Sequence, residues 1–477
     1  MSNNGYMDSF VADNRGSKEG YRDSGFSDDE SSHLEGASPG YNPKINSFNI
    51  SKSSEMDKEK NKTSHKCSLF LTLNEWECII NILASTLGGG SFVFPYIVYE
   101  VGIITSLIIF IFVSISVYYT LDLLRRFVVD SKFFSFSNIV QVTLGKLWQK
   151  IYAISAFLFY MSCIVNYLDL LFRYIKTMLA FLEKGWGKAL FFIISCIIEI
   201  LLCLFTKKLS KLHYLSLIVV IFFFIIILVL IIKSIMLFHS GEFINLSLFT
   251  IEDQTHSKKT NWSTFLFIMA KIIEFFYGYI YHSSFPTLLS GLENITNDNT
   301  RKVQNISYLI LVLIYFLISF FGCSFYDKES DLIFEKNINI TNSVLNYIFK
   351  CLLVILFLIL IPIRYIVIRD NYISLIGQEL LDLKFEIIIT SFCLLINNLI
   401  VFFIGDFKNF ISQLIHYFGG ALGVFICFVL PVISFIAINQ KVKLRAIFGY
   451  IVVAIFIVIG FFSIFYNFQS ADDGITN

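Results

Sequence analysis

The sequence predicts an all-α integral membrane protein with eleven transmembrane helices, and three observations carry that expectation. Hydrophobic residues fill 56% of the 477 positions and charged residues only 15%, with a mean hydropathy of +0.70, whereas a soluble chain carries about a quarter charged residues. Beyond residue 70, apolar runs of roughly 20 residues recur, each long enough to cross about 30 Å of hydrocarbon at about 1.5 Å per residue. No run shows the two-residue alternation of a barrel strand. In lipid a segment must therefore pair its own backbone polar groups, which a helix does.

Residues 1–70 are rich in Ser, Asn, Gly, Asp and Lys. Such a segment cannot bury enough surface to offset its ordering entropy and reads as a disordered cytoplasmic tail. It has no apolar core of the signal-peptide kind. A transmembrane domain over 71–470 and a short tail over 471–477 follow. The expected spans are 76–99, 102–127, 148–180, 188–206, 209–238, 262–290, 305–325, 344–368, 385–405, 410–437 and 446–468. With the tail inside, the inner connections (Arg125, Arg126, Lys132, Lys146, Lys150; Lys207, Lys208, Lys211; Arg301, Lys302; Arg364, Arg369, Lys384; Lys441, Lys443, Arg445) hold about 16 positive residues against about 9 outside, as the positive-inside bias requires.

The first span contains "STLGGGSFVFP". Gly88, Gly89 and Gly90 remove three consecutive Cβ atoms, so the backbone can unwind and a ligand can approach its amides, while Ser91 adds a hydroxyl. Freed backbone groups are tolerated at membrane depth only where they face protein or a wet cavity. The half-helix beyond the break also offers unpaired N–H groups and a positive dipole end, which suit a carboxylate. One or two glycines would serve close helix packing instead; three adjacent ones followed by Pro95 favour a break. A second interruption, "FFYGYIYHSSFP", lies in the sixth span, where Tyr277 and Gly278 precede His282, Ser283, Ser284 and Pro286. Paired breaks in the first and sixth helices suit two inverted five-helix repeats enclosing a substrate at the midplane. Gly88, Gly89, Gly90, Ser91, Tyr277 and Gly278 are the substrate-binding candidates.

Charged groups inside a span are costly, so each is a functional candidate. Glu274 stands three residues after Lys271, as a neutralising bridge or as a proton carrier. His282 titrates near physiological pH, as a proton-linked gate or as a buried ring satisfied by its neighbours. Glu199 and the pair Asp169 and Arg173 read as pairings in the bundle interior or groups reaching the interface. Asn397, Asn398 and His416 read as hydrogen-bonding links between helices. The net charge of +1, with Lys and Arg scattered between apolar runs, gives no nucleic-acid surface. Nine cysteines without a CxxC pair indicate neither a zinc site nor a disulfide framework. No enzyme motif stands out: HExxH, GxSxG and the phosphate-loop pattern are all absent.

"NILASTLGGGSFVFPYIVYEVG" resembles the first-helix signature of the amino acid/auxin permease family, an Asn and, after six residues, Gly-x-Gly, then an apolar half-helix, a proline and a closing glycine. "HSSFPTLLSGLENITNDNTRKVQNISYLI" resembles that family's sixth helix and its passage into the seventh. "IPIRYIVIRD" resembles the Pro-x-Arg end of its eighth, and "IGDFKNFISQLIHYFGGALGVFICFVLPVISFIAI" its tenth. The resemblance covers most of residues 75–470. It implies eleven helices in the leucine-transporter-like fold, a 5+5 inverted repeat with helices 1 and 6 broken. It also implies secondary active transport of amino acids by alternating access, as in neutral and proton-coupled amino acid transporters. Sodium-coupled relatives carry an Asn four residues before the first glycine of the break and a hydroxyl residue in the eighth helix, both as ion ligands. Here Ala84 holds the first position, and the run from Cys351 to Pro362 holds no Ser, Thr, Asn or Asp. Proton coupling, with His282 and Glu274 as coupling or gating groups, or facilitation is expected over sodium coupling. No cofactor and no metal are expected, only H+ as a possible coupling ion. An amino-acid-gated channel and a non-transporting nutrient receptor are the rival readings. The expected setting is the plasma membrane or an acidic vacuolar or lysosomal membrane.

Overall fold

The computed structural model describes residues 71–179, 182, 185–205, 213–240, 261–325, 343–376, 383–404, 413–438 and 443–475. The tail expected over 1–70 lies outside them, as do Lys207, Lys208, Lys211 and Lys441. Every regular element among the described residues is a helix.

Helix α1 (Leu73–Thr86) opens on a capping box, in which Thr72 Oγ1 accepts from Glu75 N at 3.3 Å and Glu75 Oε2 accepts from Thr72 N at 2.8 Å. It ends before Gly88, whose backbone is extended, and a 3-10 turn over Gly89–Val93 leads into α2 (Phe94–Val101). Pro95, with its fixed φ and no N–H to lose, starts α2. Between Leu73–Thr86 and Gly89–Val101 the axis bends by 57°. Gly102, at φ 81°, makes the corner into α3 (Ile103–Ser131), a conformation that favours glycine.

The next elements are α4 (Phe136–Leu144), α5 (Lys146–Met178), α6 (Gly185–Phe205), α7 (His213–Ser240) and α8 (Asn261–Tyr277). Turns from Gly278 to Ser284 separate α8 from the five-residue α9 (Phe285–Leu289). Then come α10 (Asn297–Gly322), α11 (Ser343–Ile376), α12 (Leu383–Ile404), α13 and α14 (Lys443–Ile475). Helix α13 is wound as a π-helix over Ile415–Gly423 and Phe425–Val429 and finishes as an α-helix over Leu430–Ile438.

Nine helices among the described residues are each long and apolar enough to cross a membrane, and the bent pair of α1 and α2 makes a tenth. The span expected over 262–290 is cut into a helix of 17 residues and one of 5, so neither piece reaches that length alone. Packing follows from these lengths: α5 lies along α11, α1 along α7 and α10, α14 along α8 and α13, and α12 along α6. Apolar residues left exposed, such as Ile108, Ile193, Phe224, Phe392 and Phe461, give the outer helices surfaces fit for lipid chains.

Three sequence expectations need correction. Helix α4 occupies a stretch expected as connection. Helix α11 continues to Ile376, which takes in Arg369 beyond the expected end at 368, and Arg364, counted with the inner connections, lies within the helix as the expected span itself has it. Arg125 is fully buried in α3, where Asp122 Oδ1 (2.7 Å), Asn297 Oδ1 (2.7 Å) and Thr300 Oγ1 (3.2 Å) accept its hydrogen bonds. At the far end, α14 stays helical through residues 471–475, the start of the expected tail.

Candidate functional site

The two interruptions face each other. A Cβ placed on Gly90 would lie 3.0 Å from Gly278 Cα and 3.3 Å from Gly278 N, so the two chains meet backbone to backbone. A Cβ on Gly278 would collide with Phe94 Cζ, at the start of α2. Tyr315 from α10 reaches across both breaks, its hydroxyl 2.7 Å from Gly278 O and 3.2 Å from Thr86 O. One phenol thus serves two carbonyls that the unwinding releases.

Next to the glycines stands a side chain that the charge count assigns to an inner connection although it falls inside the expected span 344–368. Arg364 is buried in α11, two residues beyond Pro362. Its Nε donates to Tyr167 Oη at 3.1 Å and its Nη2 to Thr86 O at 3.3 Å, and its Cζ lies 6.0 Å from the centre of the Tyr160 ring. Among the described residues no carboxylate pairs with it. Tyr167 fills the space over the break: a Cβ on Gly88 would collide with its hydroxyl and lie 3.3 Å from Arg364 Nη2, and one on Gly89 would lie 3.0 Å from its Cε1.

Of the expected site residues, Gly88, Gly89, Gly90, Tyr277 and Gly278 come together here. Ser91 is buried beside them, but its Oγ donates to Gly88 O at 2.7 Å and helps to close the 3-10 turn. The Tyr277 hydroxyl points to α5, donating to Cys163 Sγ at 3.3 Å. Glu274 and His282 are not brought together. His282 Nε2 lies 2.9 Å from Thr120 Oγ1 on α3, whereas Glu274 meets Lys271 and His416 on the other side of the break. Glu199 is held by Ser195 and by Asn398 Nδ2 at 3.1 Å, a polar link between α6 and α12, and Asp169 by Arg173 at 2.8 Å. Among the described residues no three His, Cys, Asp or Glu side chains gather as a metal site would require.

Ties on both sides of the breaks hold α1 and α2 in place. On one side Asn74 Nδ2 donates to Gly291 O at 2.9 Å, Glu293 N donates to Asn74 Oδ1 at 3.0 Å, and Lys302 Nζ stands 3.1 Å from Glu75 Oε2. On the other side Lys271 bridges to Glu100 at the end of α2, at 2.5 Å.

The family model described as transmembrane amino acid transporter protein matches residues 72–471, nearly the whole of the chain beyond its N-terminal segment. The chain belongs to that family. Among solved structures this transporter is similar to the Eremococcus coleocola manganese transporter bound to an aromatic bis-isothiourea compound, with 12% identity, 82% of this chain and 86% of the other covered, and a TM-score of 0.58. A histidine-to-alanine mutant of that manganese transporter matches with 13% identity, 81% and 85% coverage and a TM-score of 0.55. At such identities the likeness concerns fold, and the fold is the leucine-transporter-like arrangement with its first and sixth helices broken. This chain is accordingly a multi-pass membrane transporter. Arg364, Tyr167 and Tyr315 are the residues at its breaks that sequence reasoning missed. A charged residue in an apolar run was the one available signal, and it pointed to Arg364.

Proposed function

We propose that this transporter carries an amino acid by alternating access about the paired breaks, with the substrate carboxylate received between Arg364 and the amides beside Gly88, Gly89 and Gly90. One observation carries the reading: a buried guanidinium, two of whose donors hold Tyr167 and the Thr86 carbonyl, has no carboxylate partner among the described residues and stands next to an unwound, glycine-lined backbone. An unpaired buried charge is costly, and a planar bidentate carboxylate is the partner whose geometry fits a guanidinium. Tyr167 must swing aside for a substrate to reach the glycines, which makes it the moving part at the site. Gly278 and Tyr277 line the opposite wall.

Coupling is to protons, or absent, and not to sodium, because a hard cation needs several oxygen ligands. Ala84 and the side chains of the apolar run before Pro362 supply none. His282 and Glu274 are the candidates to carry or gate the proton. The N-terminus lies in the cytoplasm, and the membrane is the plasma membrane or that of an acidic vacuole or lysosome.

The test is uptake of tritiated amino acids into liposomes holding the purified chain. Flux that saturates with concentration and differs among amino acids is expected. Flux that rises without limit would favour a channel and contradict the proposal.

A further inference from the structure

On the α2 side of the breaks, four ionisable side chains from three helices meet where little water reaches them. Lys271 Nζ on α8 lies 2.5 Å from Glu100 Oε2 on α2 and 3.0 Å from each carboxylate oxygen of Glu274. His416 Nε2, at the start of α13, lies 3.2 Å from Glu274 Oε1, and its Nδ1 lies 2.9 Å from Ser463 Oγ on α14. Side-chain exposure is 19% for Glu100, 7% for Lys271, 3% for Glu274 and 2% for His416. Tyr96 from α2 and Tyr466 from α14 border Lys271. Among the described residues these are the charged and titratable groups that face the histidine and its partners.

The charges do not balance. Two carboxylates face one ammonium, so with a neutral imidazole the cluster holds one uncompensated negative charge in a nearly dry site, which is expensive. One proton on His416 makes it neutral. The hydrogen bonding is already arranged for either state, because with Nε2–H donating to Glu274 a hydroxyl at Ser463 can donate to a bare Nδ1 or accept from a protonated one. Proton gain or loss at Nδ1 therefore needs only a turn of one hydroxyl, and no other bond is made or broken.

We infer that the Glu100, Lys271, Glu274 and His416 cluster is the coupling-proton site of this transporter, His416 Nδ1 receiving the proton and Ser463 accepting its hydrogen bond. The inference rests on the amino acid transport reading above. When α2 and α8 part, water and separation stabilise the lone charges and the proton leaves. When they close, the proton returns. Closure and proton binding are thereby linked, and the linkage is reciprocal.

The experiment uses the full chain in liposomes, with a tritiated mixture of the standard amino acids and a pH-sensitive dye inside. Two quantities are read: exchange of labelled for unlabelled amino acid without a gradient, and accumulation with lumenal acidification under an imposed inward proton gradient. The wild type is expected to show both. In His416→Gln, which still hydrogen-bonds but cannot titrate, acidification per amino acid exchanged falls to background. Glu100→Gln, which removes the charge the proton balances, has the same effect through a different helix. Gradient-driven accumulation by both His416→Gln and Glu100→Gln would overturn the inference, as would wild-type exchange with no proton movement. Absence of exchange in the wild type would overturn the transport reading, and this site with it.

Discussion

Arg364 divides its donors between structure and ligand: Nε and one Nη2 hydrogen hold Tyr167 and Thr86 O, and the Nη1 hydrogens have no partner among the described residues. Arg364→Gln is expected to raise the amino acid concentration for half-maximal uptake about 10- to 100-fold, the range of a lost hydrogen bond to a charged group. Arg364→Lys recovers little, since an ammonium cannot meet a carboxylate with two parallel bonds. Equal half-saturation in wild type and Arg364→Gln would contradict this role. Gly90→Ala is expected to abolish uptake with the protein still inserted, because its Cβ would press on the Gly278 backbone, which has no rotamer to change. Gly89→Ala is milder, since its Cβ meets the side chains of Tyr167 and Leu170. The reverse order would show that the two backbones need not touch. The glycine break was legible because three glycines and a proline in an apolar run have no good continuous-helix reading. Arg364 was counted with the inner connections although it falls within the expected span 344–368, because a count of positive charges near span ends does not say which of them are buried. Tyr167 is one of several tyrosines along a 33-residue helix, and only the fold selects it.

The elements depend on ties that sequence periodicity does not announce. Helix α10 holds both breaks through the Tyr315 hydroxyl, so Tyr315→Phe leaves the Gly278 carbonyl without that donor and Thr86 O with Arg364 Nη2 alone. A loss of about 1–3 kcal/mol is expected for a buried acceptor left unmet, read as a lower unfolding temperature in detergent. An unchanged unfolding temperature would show that these carbonyls find other donors. Most span ends were legible to within a few residues because an apolar run of given length is itself the signal, but α10 begins at Asn297, before the expected 305, and α14 runs to Ile475, past the expected 468. The ends of α11, the short α4 and the π-helical start of α13 were not, because they depend on neighbours. The π-helical stretch crosses α14 where a Cβ on Gly460 would collide with Gly420 O, an approach that needs glycine. In the sequence Gly460 is one small residue in a long apolar run. His416 was legible as a link between helices but not as the neighbour of Glu274, which requires the turn of α13 to be known.

For the whole molecule, the ties at Asn74 and Lys302 on one side and at Lys271 on the other mark the two ends that the proposed alternating access would open in turn. A cytoplasmic N-terminus places Lys176, at the end of α5, outside and Asp298, at the start of α10, inside. Both side chains are exposed. A cysteine at Lys176 should therefore react with an impermeant reagent in intact cells or vesicles of that orientation, and one at Asp298 only after permeabilisation. The opposite pattern would invert the topology. Replacing sodium by choline at fixed pH and voltage should leave uptake unchanged, and collapse in choline would mean that carbonyls at the break hold an ion. The central claim is recognition of an amino acid carboxylate at the paired breaks. It is tested most directly by competing uptake of a tritiated amino acid with the same unlabelled amino acid and with the amine that lacks only its carboxylate. The account predicts saturable uptake displaced by the amino acid, with the amine weaker by about 10-fold or more in the wild type and the difference lost in Arg364→Gln. Equal competition by amine and amino acid in the wild type would contradict it.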